Sequence, residues 1–97
     1  MSFVRHYVMT TEPEKAEAFG ETLAALRDAV AGCRGSLRID LLQAEKEPHR
    51  FFFIEHWESR EDHSAAGSQL PPEVMKSLKS FLAAPPESTD LTVPRLA

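Results

Sequence analysis

The chain has 97 residues, of which 42% are hydrophobic and 27% are charged, and its formal net charge is −4. This size and composition predict one folded domain over residues 1–97 and exclude a disordered or collagen-like protein. The acidic balance, without clustered Lys or Arg, argues against a nucleic-acid partner, and no apolar run approaches the ~20 residues that span a membrane.

The N-terminal residues have the pattern of a strand and not that of a cleavable leader. We therefore expect a cytoplasmic protein. The single cysteine, Cys33, has no intrachain partner for a disulfide, which fits a reducing compartment. We expect it to be buried at the end of a helix, as free cysteines often are.

The first strand is predicted over residues 3–10, where β-forming residues alternate between two faces. One face carries Phe3, Arg5, Tyr7 and Met9, and the other carries Val4, His6 and Val8.

A helix follows, with Thr11 as its expected cap, Pro13 in its first turn and Glu14 at the capping-box position. Apolar residues at alternating intervals of three and four form one stripe along it: Ala16, Phe19, Leu23, Leu26, Val30 and Cys33. Gly32 and Gly35 are expected to supply the left-handed conformation that ends the helix.

Two strands are predicted next, over residues 36–44 and 51–57, joined by a polar loop at residues 45–49 that is short enough for a hairpin. Ser59 is the expected cap of a second helix, which is interrupted around residues 67–72. Its second part carries the apolar residues Val74, Met75, Leu78, Phe81 and Leu82 and is stopped by Pro85 and Pro86. A last strand is predicted at residues 91–93, and Pro94 is expected to confine it to a sheet edge.

The element order β-α-β-β-α-β predicts an α+β ferredoxin-like sandwich, a four-stranded antiparallel sheet with both helices on one face. In this topology the first and third strands are central and the fourth is at an edge. The third strand is nevertheless apolar on both sides: Phe51, Phe53, Glu55 and Trp57 share one face, and Phe52, Ile54 and His56 share the other. Because the helices cover one face only, the other would be a large exposed patch, so we predict a homodimer in which two sheets pack face to face.

Three segments resemble the antibiotic biosynthesis monooxygenase domain: residues 32–35 (GCRG), residues 48–51 (PHRF) and, most specifically, residues 53–61 (FIEHWESRE). The resemblance covers nearly the whole chain in length and element order. It implies a small protein of the dimeric α/β barrel class, in a group that includes quinol monooxygenases.

Two departures from the family pattern bear on activity. Many members have a His about nine residues beyond the Trp, where this chain has Ala66, and His63 lies one turn earlier. Haem-degrading relatives use an Asn on the first strand, and this chain contains no Asn, which argues against haem oxygenation.

The resemblance implies oxidation of a small quinol or phenolic aromatic by molecular oxygen, with no metal, haem or flavin cofactor. A deprotonated phenol can itself pass an electron to oxygen, so the protein must bind the ring in a dry cavity, take the proton and stabilise the anion. The expected catalytic residues are Trp57, which would wall the substrate and donate its indole N–H, and His63, which would act as base or donor. The expected substrate-binding residues are Tyr7, Arg38, Phe53 and Glu55.

Structural roles remain open for the same residues. Trp57 can be a core aromatic, His63 a solvated helix residue, and Glu55 the partner of Arg5 or Arg38 across the strands, since an unpaired buried carboxylate is costly. His56, on the opposite face from Trp57, is expected at the dimer interface or hydrogen-bonded within the sheet.

We expect no metal site, because His49, His56 and His63 fall on a loop, a strand and a helix. Two alternatives to the oxygenase remain. One is a dimeric binding module that keeps the cavity without catalysis, which Ala66 favours. The other is an isomerase on the same fold that needs no oxygen.

Overall fold

A computed structural model describes residues 2–94 of the chain. Its elements are β1 Phe3–Thr10, α1 Ala16–Ala31, β2 Ser36–Gln43, β3 Arg50–Trp57, α2 Arg60–Ala66, α3 Pro72–Phe81 and β4 Glu87–Leu91, with 3-10 turns at Pro13–Lys15 and Gly67–Gln69. Within residues 2–94, no helix has both the length and the apolar character needed to cross a membrane.

The four strands form one antiparallel sheet in the order β2-β3-β1-β4. β1 and β3 are therefore central, and β4 lies at an edge. This arrangement confirms the ferredoxin-like fold, with the second predicted helix divided into α2 and α3 by the turn at Gly67–Gln69.

The core lies between one face of the sheet and the helices. On β3 the side chains alternate strictly in burial, and Phe51, Phe53, Glu55 and Trp57 all point to the helical side. The apolar stripe of α1 covers them with four buried residues: Phe19, Leu23, Leu26 and Val30. Burial of each such side chain contributes about 2 kcal/mol, so this contact stabilises the packing of α1 on the sheet.

The opposite face of the sheet, here called the outer face, has no helix over it. It carries half-buried apolar side chains from the central strands, such as Val8, Phe52 and Ile54, and leaves Leu42 of β2 55% exposed. His56 also lies on this face, where its Nε2 is 3.6 Å from Asp40 Oδ2.

The start of α1 differs from the expectation, since Thr11 does not cap it. The chain enters the helix through Pro13–Lys15 without any side-chain cap. Thr11 is buried, and its hydroxyl donates to the carbonyl oxygen of Phe81 at 2.6 Å. The Thr11 hydroxyl therefore bonds to the end of α3 and not to a backbone amide in the first turn of α1. The predicted cap of α2 is confirmed, because Ser59 Oγ accepts from Asp62 N at 3.1 Å.

The two glycines after α1 behave differently from each other. Gly32 is right-handed, with φ −84°, so it does not supply the left-handed conformation. Gly35 does, with φ +83°. Cys33 lies between them and is buried, as expected.

The last strand was predicted at residues 91–93 but lies at Glu87–Leu91. It follows directly after Pro86 and pairs with β1 from Val8 to Val4. The prediction relied on apolar β-formers, whereas all five residues of this edge strand are exposed and tolerate polar side chains. Pro94 lies beyond the strand and so does not set its edge position.

Candidate active site

A cavity that is partly open to solvent lies between the central strands and the helices. It consists of two adjoining pockets of about 270 Å³ and 280 Å³. Both pockets are lined by Tyr7, Glu55, Leu70 and Met75, which mark their junction. The cavity reaches Trp57, so the chain has room for a small molecule beside its single tryptophan.

Strand register brings the polar side chains of this cavity together. In the pairing of β1 with β3, Phe3 is opposite Trp57, Arg5 is opposite Glu55 and Tyr7 is opposite Phe53. Because residues of one parity share a face, all six side chains point towards the helices. The chain then turns directly into α2, whose first turns place His63 over the edge of the Trp57 ring at 5.7 Å between centroids.

Glu55 and His63 form the centre of the polar cluster. The indole Nε1 of Trp57 donates to Glu55 Oε1 at 3.1 Å. The same carboxylate oxygen lies 3.8 Å from His63 Nε2, which is itself 3.3 Å from the Tyr7 hydroxyl. Two groups that can accept a proton and one phenolic hydroxyl therefore meet at a single corner of an otherwise apolar cavity.

Burial controls the ionisation of the two acidic groups. It raises the pKa of Glu55, against the opposing effects of the Trp57 hydrogen bond and the Arg5 charge. Burial also raises the pKa of Tyr7, and the Glu55 carboxylate raises it further. Tyr7 therefore remains protonated at neutral pH and is a hydrogen-bond donor.

His63 is shifted in the opposite sense. Burial lowers its pKa, and the positive charges of Arg5 and Arg60 lower it further, while Asp90 acts against them. The imidazole is therefore neutral at neutral pH, and its unprotonated nitrogen can accept a proton, which a general base requires.

Arg5 does not pair with Glu55, although the two residues are opposite each other. Its guanidinium turns towards β4, where Nη1 contacts Asp90 Oδ1 at 2.8 Å and Nη2 donates to Ser88 Oγ at 3.2 Å. It also lies 5.3 Å from the centre of the Tyr7 ring. Arg60 contacts the second oxygen of Asp90 at 3.1 Å, so one carboxylate joins two cations beside the site.

The structure brings together five of the six residues predicted for the site. Four of them form the polar cluster, and Phe53 lines the pocket beside it: Tyr7, Phe53, Glu55, Trp57 and His63. Trp57 is 1% exposed, so it is both a core residue and a wall of the cavity, and its N–H is already engaged by Glu55.

Arg38 lies elsewhere. A register shift between Ser36 and Arg38 places it opposite His56, on the outer face, where its guanidinium contacts Asp40 at 3.1 Å. It therefore contributes no charge to this cavity, and its expected pairing with Glu55 does not form.

Several lining residues were not predicted. Leu70 lies within the stretch that the sequence marks only as a helix interruption, and Lys79 is a polar residue of α3. Arg5 lines neither pocket but lies beside Tyr7, and the alternation of β1, which places both on one face, was a signal for it. Ala66, at the position where the family resemblance leads one to expect a His, is buried and lines the same pocket as His63.

Metal ligands are not clustered in this region. Across residues 2–94, no three side chains of the His, Cys, Asp and Glu types lie together in a group that could hold a metal ion.

Comparison with solved structures finds the same fold in several proteins. A candidate antibiotic biosynthesis monooxygenase from Nitrosomonas europaea superposes with a TM-score of 0.82 at 22% identity, over 93% of this chain and 88% of that one. SnoaB from Streptomyces nogalater, a cofactor-independent oxygenase solved as a mutant, superposes with a TM-score of 0.81 at 15% identity, over 98% and 95%. PA3566 from Pseudomonas aeruginosa gives 0.81 at 23% identity, over 99% and 95%.

These identities establish a shared fold. A search of curated proteins finds no matching sequence. The family profile described as antibiotic biosynthesis monooxygenase matches residues 2–68, which is more than half of the chain and includes β1, β3 and α2. The chain therefore belongs to the antibiotic biosynthesis monooxygenase family.

Proposed function

We propose that the protein is a cofactor-independent monooxygenase that oxidises a small quinol or other phenolic aromatic with molecular oxygen. One observation carries the proposal: a largely apolar cavity between sheet and helices has a polar corner formed by Tyr7, Glu55, Trp57 and His63. Family membership and the shared fold with a cofactor-independent oxygenase support it.

The polar corner suits the first chemical step, removal of the phenolic proton. Neutral His63 accepts this proton, and Tyr7 donates its hydroxyl to the phenolate that results. Trp57 forms one wall for the aromatic ring and holds Glu55 in place. The apolar lining excludes water from the anion, which keeps it electron-rich.

The phenolate then supplies the electrons for oxygen. It transfers one electron to O2, and the radical pair combines to form a carbon–oxygen bond at an activated ring carbon. The resulting peroxide anion takes up the proton held by His63 and becomes a hydroperoxide. Loss of the proton on the same carbon and cleavage of the O–O bond then release water and leave a carbonyl. Both oxygen atoms are accounted for, one in the quinone product and one in water, and the substrate carbon provides the four electrons.

The test is oxygen uptake by the purified protein with a panel of anthrones and naphthohydroquinones, corrected for spontaneous oxidation without protein. When the reaction is run under ¹⁸O2, one labelled oxygen atom should appear in the quinone product. Trp57→Phe and His63→Gln should each lower the catalysed rate by about 100-fold or more, in the range of a lost positioned base or binding wall. His49→Gln is the control, because this loop histidine lines neither pocket. No uptake above background across the panel would refute the proposal.

A second candidate, a binding module without turnover, is favoured by one observation. Ala66 lines the cavity at the position where a family His is expected, so the pocket holds His63 alone. Ligand binding that persists in Trp57→Phe and His63→Gln, with no product from either variant or the parent, would select this candidate. Product formation without oxygen would instead select the isomerase.

The proposal includes a homodimer formed through the outer face. Val8, Phe52 and Ile54 are only half buried there, with Leu42 and Leu91 55% and 42% exposed. A second copy would cover this face and leave the cavity on the helical side free. The proposal also includes a cytoplasmic location, where Cys33 would remain a thiol.

Light scattering measures the assembly directly. The parent should have about twice the chain mass of 10.9 kDa at micromolar concentration. Ile54→Lys should shift it to the monomer, because a buried unpaired charge is costly. Glu21→Lys should not, because Glu21 is exposed on α1, on the opposite side of the sheet. A monomeric parent would overturn the dimer.

A further inference from the structure

The cavity is asymmetric in a way that the proposed reaction does not require. From the junction formed by Tyr7 and Glu55, the first pocket continues along the central strands past Met9 and Phe53. It ends at Leu82 and Pro86, close to the point where Ala83 N donates to Thr10 O. A molecule with its phenol at the polar corner therefore extends towards the last turn of α3.

Lys79 stands at that end. It lines the first pocket and is exposed, as is Pro86, so the pocket opens to solvent beside this residue. Lys79 is the only Lys or Arg among the residues that line the two pockets. The carboxylate of Glu55 lies at the junction of the pockets. Lys79 forms no ion pair with any residue in the range 2–94.

An unpaired ammonium at the open end of an apolar cavity attracts an anionic group on whatever occupies the cavity. Arg5 and Arg60, in contrast, are both engaged with Asp90 and line neither pocket. We infer that the substrate is an aromatic acid: a phenolic ring system whose carboxylate, distal to the hydroxyl, is held by Lys79. This inference rests on the proposed function, since it takes the phenol to lie at the His63 corner.

Calorimetric titration of the full chain with a matched pair of ligands tests it. The probes are 6-hydroxy-2-naphthoate and its neutral isostere 6-hydroxy-2-naphthamide. At low salt the carboxylate should bind about two- to fivefold more tightly than the amide, as expected of one exposed charge pair. The preference should disappear near 1 M salt, where such a pair is screened.

Substitutions on α3 assign the preference to one residue. Lys79→Gln should abolish it and leave amide binding unchanged, whereas Lys79→Arg should retain it. Lys76→Gln is the matched control, because Lys76 is exposed on the same helix and lines neither pocket. Thermal unfolding of each variant verifies that it is folded.

The possible results separate the two proposals. Equal binding of the acid and the amide, or a preference that survives Lys79→Gln, overturns the role of Lys79 and leaves the proposed function standing. Failure of both ligands to bind removes the aromatic site itself, and the proposed function falls together with this inference.

Discussion

The indole nitrogen of Trp57 donates to the carboxylate of Glu55, two residues earlier on the same strand and on the same face. This hydrogen bond holds the carboxylate beside the Trp57 ring, where Glu55 Oε1 lies 3.8 Å from His63 Nε2. A residue pair that looks like core packing thus positions the polar corner of the cavity.

Replacement of Glu55 by Gln should stabilise the protein at neutral pH. Burial raises the pKa of Glu55 in the folded chain, so folding favours the protonated carboxyl group. The resulting stabilisation is fully present below the ordinary carboxyl pKa and is lost as the pH rises through the raised pKa. Gln removes that loss, and we expect the free energy of unfolding to rise by about 1 kcal/mol at neutral pH and to change little near pH 4. Urea denaturation across this pH range measures it.

Glu58→Gln provides the comparison, because Glu58 is exposed and should show no such difference between the two pH values. If Glu55→Gln were destabilising at neutral pH, the ionised carboxylate would have to be stabilised by Arg5 more than it is penalised by burial.

The protonation of His63 should depend on Arg60. Burial is the main cause of its lowered pKa, and Arg60 adds to the effect. Arg60→Gln removes one positive charge and releases Asp90 from one of its partners, so both changes should raise the pKa of His63. Nuclear magnetic resonance titration of the imidazole Cε1–H signal measures the shift.

Arg27→Gln is a control for that titration, since Arg27 pairs with Asp28 on α1. In the parent, stability should fall as the pH drops through the ordinary His pKa, because the unfolded chain then binds a proton that the folded chain resists. An unchanged His63 pKa in Arg60→Gln would contradict the assigned electrostatics.

Gly35 should tolerate no side chain. Its φ of +83° disfavours any L residue, and a Cβ there would overlap the Asp62 side chain. We expect Gly35→Ala to lower the free energy of unfolding by about 2 to 4 kcal/mol. Gly67→Ala, with nothing near its Cβ and a helical backbone, should instead be neutral or stabilise by about 0.5 kcal/mol. Equal effects of the two substitutions in urea denaturation would rule out the steric explanation.

The Thr11 hydroxyl should matter for the attachment of α3. Thr11→Val keeps the shape of the side chain but leaves the Phe81 carbonyl without its donor, which should cost about 1 kcal/mol. Thr11→Ser keeps the hydroxyl and should retain most of that contribution, apart from the lost methyl group. The difference between the two variants, measured by thermal unfolding, isolates the hydrogen bond. A Val variant as stable as the Ser variant would mean that the bond contributes nothing.

The sequence predicted most of the fold because periodicity alone determines which residues are covered. The stripe on α1 identified the face of this helix that covers the sheet. Both faces of β3 are apolar in sequence, and in the structure the residues that share a face with Trp57 are the buried ones. Residues on the same face of paired strands then had to meet, which is why Tyr7, Glu55 and Trp57 lie together beside the cavity.

The parts that could not be predicted depend on geometry that is not periodic. Arg38 is an exception, because the alternation of β2, with Ile39 and Leu41 packed against the core, already indicates that Arg38 lies on the outer face. Thr11 had a good local reason to cap a helix but found a partner 70 residues away. The pairing of Arg5 with Asp90 depended on the position of β4, which was misplaced by several residues.

The shortest and most exposed strand also has an electrostatic role. β4 makes its sheet contacts with β1 alone, yet its Asp90 neutralises two guanidinium groups beside His63. Fraying of that edge would free both cations and make the imidazole a weaker base. The basicity of His63 is thus coupled to the pairing of β4 with β1.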